Sequence, residues 1–385
     1  MKVIINAKVV LENGIIWDGV ILTEGDRIAR VGNARETEIP ADAEKIDAKG
    51  AYVGPGLFDI HVHSGDKATT FADPQGAADY FVKHGTTSFL ATPSYGRNFD
   101  EFMEAFKNVN ASLGKVKGLR GIYAEGPYTN PKYGAGAARN PWRHPMTESE
   151  YKALVDAAGT GIRVWTIAPE REGLEPFLDY ARQVNPNVVF ALGHSEATPM
   201  QVRALGKNRP MIMTHTFNAT GRQTCDSGGI RGYGPDEYCL KTPEMYAELI
   251  SDSAGKHVHP ELQQLLLFCK TAEKIILITD RGTSAAGKVE TRPEYIKYPD
   301  LNFGPNGELG GSRLTMDQCC RNMMAATGAS IAQVFRMASG NPARAVGLFE
   351  EIGSITAGKQ ADLAFVDDKF NVLKVMQAGE LCNIE

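Results

Sequence analysis

Eight short apolar runs, spaced by longer stretches of helix-like patterning, constrain this chain more than any other feature. They are LFDIHVH (57–63), TTSFLATP (86–93), LRGIYAE (119–125), IRVWTIAPE (162–170), VVFALGH (188–194), PMIMTHTF (210–217), YAELISD (246–252) and KIILITD (274–280). A strand that is apolar on both sides is buried on both faces, as in a parallel sheet covered by helices. Eight strand–helix units predict an α/β fold, a (β/α)8 TIM-like barrel, which takes roughly 250 residues. The chain has 385 residues, so a modest accessory domain is left over. Residues 1–55 and the tail after about 350 read as short alternating strands punctuated by Gly and Asp. Neither end is large enough to hold a core alone. The expected division is therefore a small β-sandwich from 1–55 and 350–385, and a barrel from 56–349.

The polar residues at the ends of these runs carry the chemistry. His61 and His63, Glu125, His194, His215 and Asp280 all fall at or near the C-terminal ends of predicted strands. In a β/α barrel those ends converge on one face, where active sites form. His61 and His63 flank Val62, and side chains two apart on a strand point the same way, so both imidazoles can reach one ion. A carboxylate straight after an apolar run, as Glu125 is, needs a partner to offset its desolvation. Taken one at a time, each of these has a plainer reading: a lone core histidine, a salt bridge, a helix cap for Asp280. Together, imidazole nitrogens and a carboxylate suit Zn²⁺, with Fe²⁺, Co²⁺ or Mn²⁺ as alternatives. Five such ligands could hold one divalent ion, or two bridged by Glu125. Asp280 beside them is placed to take and return a proton.

Composition excludes other classes. The formal net charge of −5 gives no electrostatic footprint for nucleic acid or an anionic membrane. No stretch approaches the roughly 18 uninterrupted apolar residues of a membrane span. The opening MKVIINAKVVLENG reads as a first strand rather than a signal peptide. The six cysteines show no CxxC spacing and are expected to be free thiols in a reducing cytoplasm.

These residues resemble the amidohydrolase superfamily, and within it the N-acetylglucosamine-6-phosphate deacetylase family. PGLFDIHVHS with HGTTSFLAT is similar to the superfamily opening; EGPYTNP, LGHSEAT, THTFNAT, HVHP, LITDRGTSAAG, LGGSRLTMD, NPARAVGL and GSITAGKQADLAFVD follow in the order of the deacetylases. The resemblance implies that Glu125, His194 and His215 are metal ligands, joined by His61 and His63, and that Asp280 is the acid/base. It implies substrate contacts from Asn218, Ala219, His257, Leu309 and Gly311, with Ala138 and Arg139 in the loop after EGP. Arg139 stands where the family usually carries a histidine. The phosphate-binding arginine is either Arg222 or Arg231, separated by the unusually long stretch QTCDSGGI. The implied activity is hydrolysis of the N-acetyl amide of N-acetylglucosamine 6-phosphate, with another N-acetyl hexosamine phosphate or a related N-acyl compound as the alternative. The implied assembly is a homodimer. A deaminase or cyclic amidase on the same barrel is the competing class, since a fold does not fix a reaction.

Overall fold

The protein is described by a computed structural model covering residues 1–222, 232–282, 297–303 and 307–384. Five strands open the chain: β1 (Lys2–Leu11), β2 (Gly14–Glu24), β3 (Arg27–Asn33), β4 (Glu44–Asp47) and β5 (Tyr52–Pro55). The barrel follows as β6 (Leu57–Val62), β7 (Thr86–Ala91), β8 (Leu119–Ala124), β9 (Ile162–Ile167), β10 (Val189–Leu192), β11 (Ile212–Met213), β12 (Tyr246–Leu249) and β13 (Ile275–Leu277). A hairpin, β14 (Leu301–Phe303) with β15 (Leu309–Ser312), lies beyond it; β16 (Leu363–Val366), β17 (Val372–Gln377) and β18 (Glu380–Leu381) end the chain. The described helices are α1 (Pro74–Phe81), α2 (Phe99–Ser112), α3 (Glu148–Ala158), α4 (Leu174–Val184), α5 (Pro199–Ala204), α6 (Pro235–Lys241), α7 (Pro260–Lys270), α8 (Met316–Thr327), α9 (Ile331–Phe335) and α10 (Asn341–Ala345).

Strands β6 to β13 lie side by side in chain order and pair in parallel throughout. The ring closes where the end of β6 meets the chain after β13. There the Asp280 amide donates to the His61 carbonyl at 3.0 Å, and the His63 amide donates to the Arg281 carbonyl at 2.9 Å. Phe58, Ile60, Leu90, Tyr123, Val164, Leu192 and Met213 share one buried cluster with residues of β12 and β13. The outer helices follow the amphipathic rule. α2 starts at an Asn98–Glu101 capping box and buries Phe102, Ala105, Phe106 and Val109, three or four residues apart, against the sheet.

The terminal strands form a second sheet, ordered β3-β2-β1-β5-β16-β17-β18. β1 is paired twice on one edge, its first half with β4 and its second with β5. An irregularity between Ile4 and Ala7, with Asn6 at φ 54°, separates the halves. Ile4, Val9, Ile28, Ile46, Val53, Leu363 and Phe365 share one core under this sheet. Both ends of the chain are needed to build that core.

Candidate metal centre

Each candidate ligand sits where a barrel strand gives way to a loop. Three of these residues take backbone conformations that L-residues seldom adopt: His194 at φ 46°, His215 at φ 28° and Asp280 at φ 46°. Such geometry costs on the order of 1–3 kcal/mol each and persists only when the surroundings impose it. Here it turns the chain sharply at the ends of β10, β11 and β13, so that the side chains face the barrel axis. It also explains why β11 and β13 are shorter than their apolar runs in the sequence.

Two triads result. Glu125, His194 and His215 form one; His61, His63 and Asp280 form the other. In the first, His194 Nε2 lies 2.8 Å from Glu125 Oε1, His215 Nε2 lies 3.4 Å from the same oxygen, and the two Nε2 atoms are 3.1 Å apart. Ligands about 2.0–2.1 Å from a tetrahedral ion stand about 3.3 Å from one another, so this spacing suits a shared ion. In the second, His63 Nε2 is 3.0 Å and His61 Nε2 3.8 Å from Asp280 Oδ1. Glu125 stands between the triads, its Oε1 3.8 Å from His61 Nε2 and its Oε2 3.5 Å from His63 Nε2.

The tautomers agree with this reading. All four histidines have Nδ1 engaged elsewhere: His63 on the Thr92 carbonyl at 2.8 Å, His194 on the Tyr133 carbonyl at 3.3 Å, and His215 on the Asn218 carbonyl at 3.1 Å. The fourth, His61, meets Glu248 Oε2 at 3.1 Å. An Nδ1–H that donates outward leaves the Nε2 lone pair facing inward, the state a metal ligand requires. His61 Nε2 is fully buried and has no hydrogen-bond partner among the described residues. A buried lone pair without a donor is unfavourable unless a cation takes it. The residues present therefore fit a divalent ion.

The electrostatics point the same way. Burial opposes ionisation of Glu125, yet His194 and His215 hold it well below the usual carboxylate range. Burial likewise opposes the charge on Asp280, and His63 and His61 keep that carboxyl lowered. Burial disfavours the imidazolium of His63, but Asp280 and Glu125 outweigh it and raise the group to about 9. His215 is raised to about 9 for the same reason, chiefly by Glu125 against its own burial. The centre attracts positive charge, whether as protons or as metal.

A cavity of about 350 Å³ opens above the triads, within the usual range for small-molecule sites. His63, Glu125, His194, His215 and Asp280 form its floor, and Arg139, Asn218, Ala219, His257, Leu309 and Gly311 line it. His257 has both ring nitrogens engaged within the protein, Nδ1 on Asp252 at 3.0 Å and Nε2 on the Gly311 carbonyl at 2.9 Å. Arg139 pairs with Glu308 at 3.6 Å. Ala138 is exposed and does not line the cavity, whereas Ala135 does. Arg222 is also outside the lining, 3.8 Å from Glu237. Arg231 lies outside the described residues.

Sequence reasoning passed over Glu248, whose side chain is completely buried on β12. It meets His61 Nδ1 and also accepts from the His215 amide at 3.2 Å, so one carboxylate touches candidate ligands of both triads. A single carboxylate inside an otherwise apolar barrel strand was the available signal. Asp59 in β6 shows the same signature: burial raises it to about 7, and it accepts the Thr279 hydroxyl at 2.5 Å where the barrel closes.

Comparison with known proteins adds the lineage. The signature of the amidohydrolase family matches residues 52–382. The N-acetylgalactosamine-6-phosphate deacetylase of Escherichia coli O157:H7 is 30% identical over 90% of this chain and 91% of its own length. The N-acetylglucosamine-6-phosphate deacetylase of Bacillus subtilis (strain 168) is 28% identical over 98% of this chain and 96% of its own. A mutant N-acetyl-D-glucosamine-6-phosphate deacetylase from Mycobacterium smegmatis, solved in complex with N-acetyl-D-glucosamine-6-phosphate, matches with a TM-score of 0.80 at 25% identity, covering 99% of this chain and 98% of that one.

Proposed function

The chain belongs to the amidohydrolase family, and from that premise we propose that it hydrolyses the N-acetyl amide of N-acetylglucosamine 6-phosphate, giving glucosamine 6-phosphate and acetate. The observation that carries this reading is the convergence of two triads, with His63, Glu125, His194, His215 and Asp280 on the floor of one cavity and His61 buried beside them. Glu125, His194 and His215 hold one divalent ion in this account, and His61 and His63 extend the site toward a second. Zinc suits a set of imidazole nitrogens with one carboxylate. When bound, the ion lowers the pKa of a water to about 7 and polarises the amide carbonyl.

The protein's own residues move the proton. Asp280 is ionised at neutral pH, since the imidazoles beside it keep its carboxyl lowered against burial. It takes a proton from the attacking water and passes it to the amide nitrogen as the C–N bond breaks. Asp280 Oδ1 lies 3.0 Å from His63 Nε2, so the carboxylate stands beside the ion that His63 would help to hold. Tyr95 and Phe303 are among the residues that wall the cavity above this floor. Asp280→Asn is expected to retain metal and to lose about 10²–10⁴-fold in acetate release. Near-normal turnover in that variant would remove Asp280 from the mechanism.

The 30% identical E. coli relative gives specific support to a second substrate, N-acetylgalactosamine 6-phosphate. Parallel acetate-release assays on the two epimers separate the readings. The same proposal takes 1–55 with 350–385 as the accessory domain and 56–349 as the catalytic barrel. It has the enzyme acting as a homodimer in a reducing cytoplasm. Free thiols at Cys239, Cys269, Cys319, Cys320 and Cys382 are in keeping with that compartment, and Phe268, 86% exposed on α7, with a contact between subunits.

A further inference from the structure

The loop from β7 to α2 places one arginine in the cavity wall that the account above does not use. Arg97 lines the cavity together with Phe71, Ser94, Tyr95 and Gly96. Its backbone is pinned from three sides. The Arg97 amide donates to the Ser94 carbonyl at 3.1 Å, the Trp142 indole N–H donates to the Arg97 carbonyl at 2.6 Å, and Asn98 caps α2 immediately after. The guanidinium sits over Phe71, its carbon 3.9 Å from the ring centroid. Stacking of this kind occupies the face of a guanidinium and leaves the N–H groups at its edge free.

Those N–H groups lack a counterpart. Arg97 Nε is buried without a hydrogen-bond partner, and no carboxylate among the described residues lies within ion-pair distance of the side chain. Partial burial pulls its pKa down, and Glu101 and Glu104 on α2 act on it only through space. The other two described arginines considered as anion binders differ. Arg139 is 64% exposed in its side chain and pairs with Glu308, and Arg222 faces Glu237 outside the cavity. A half-buried cation in the wall of a substrate cavity, with no carboxylate partner among the described residues, is complementary to an oxyanion, which its terminal N–H groups can bind.

We propose that Arg97 is a specificity-determining residue that grips the phosphate monoester of the substrate from within the same subunit. This rests on the reading of the site as a hydrolase for phosphorylated N-acetyl amino sugars. It adds a residue for which the family resemblance offered no role. A plainer role, a cation–π brace for the loop on Phe71, predicts equal effects on charged and neutral ligands.

The test compares the metal-loaded wild-type protein with Arg97→Met and Arg97→Lys. Binding of glucosamine 6-phosphate and of glucosamine is measured by calorimetry, and acetate release from N-acetylglucosamine 6-phosphate and N-acetylglucosamine by steady-state kinetics. Arg97→Met is expected to weaken glucosamine 6-phosphate binding about 30-fold or more, the scale of a hydrogen-bonded ion pair, with glucosamine changed less than about 3-fold. The kinetic loss should lie in KM for the phosphorylated substrate, and Arg97→Lys should recover part of it. Equal losses for charged and neutral ligands, or none for either, would overturn the proposal. Wild-type turnover of the phosphorylated substrate with an unchanged preference in Arg97→Met would leave the hydrolase reading standing and sink Arg97. Phosphate-selective binding that depends on Arg97 in a protein releasing no acetate would do the reverse.

Discussion

Glu248 shows how much one buried carboxylate can control. With Oε2 on His61 Nδ1 and on the His215 amide, it holds the ring of a histidine in one triad and the backbone of a histidine in the other. Removing such a support typically costs 10–100-fold in metal affinity. Glu248→Gln is therefore expected to bind zinc about 10–100-fold more weakly in chelator competition while the far-ultraviolet spectrum stays native. Unchanged affinity would mean that His61 is oriented by packing alone, for example by the Tyr123 ring 4.5 Å away. Gly134 makes a steric version of the same point. It sits at φ 101°, and a Cβ there would come within 2.6 Å of the His194 ring and 2.5 Å of the Tyr95 hydroxyl. Gly134→Ala should displace His194 and abolish most metal binding and turnover. A fully loaded, active Gly134→Ala would show that the loop yields instead.

Among the elements, the strands were readable and their ends were not. Near-continuous apolar runs such as LFDIHV declare strands buried on both faces, and the residues at 61, 63, 125, 194, 215 and 280 stand out as polar interruptions at their ends. Which nitrogen each histidine turns inward depends on carbonyls of Thr92, Tyr133 and Asn218, which no residue pattern encodes. Arg97 was illegible for a similar reason, because its meaning comes from Phe71, distant in sequence and stacked only after folding.

Helix α8 carries the pH prediction. Asp317 stands in its first turn, where a negative charge suits the helix dipole, and pairs with Arg321 at 2.9 Å. Burial would raise this carboxyl, but His84, Thr315 and Arg321 outweigh it and hold it below its ordinary value. A depressed carboxylate adds stability above its unfolded pKa of about 4 and loses it as pH falls through the folded value. Asp317→Asn should thus be less stable than wild type by about 1–3 kcal/mol at pH 7, the gap closing below about pH 4. Denaturant titrations across that range check it; a pH-independent gap would rule out the charge as the cause.

At the scale of the whole molecule, chain termini that are distant in sequence close one sheet. β16 inserts between β5 and β17, and Leu363 and Phe365 fill the core shared with Ile4 and Val53. Arg120 on β8 reaches across to Gln360 and Asp362, at 2.7 and 3.3 Å, tying that sheet to the barrel. Alternating patterns at both ends foretold β-structure, while the double pairing of β1, with β4 before Asn6 and β5 after it, was invisible beforehand. The barrel itself serves to gather residues spread from 61 to 280 around one point. The most direct test of that claim is metal content measured on the purified protein alongside acetate release from N-acetylglucosamine 6-phosphate, before and after chelation. The account predicts one or two equivalents of divalent metal per chain, activity that vanishes on stripping, and recovery on adding zinc. Full activity in protein freed of metal would contradict it.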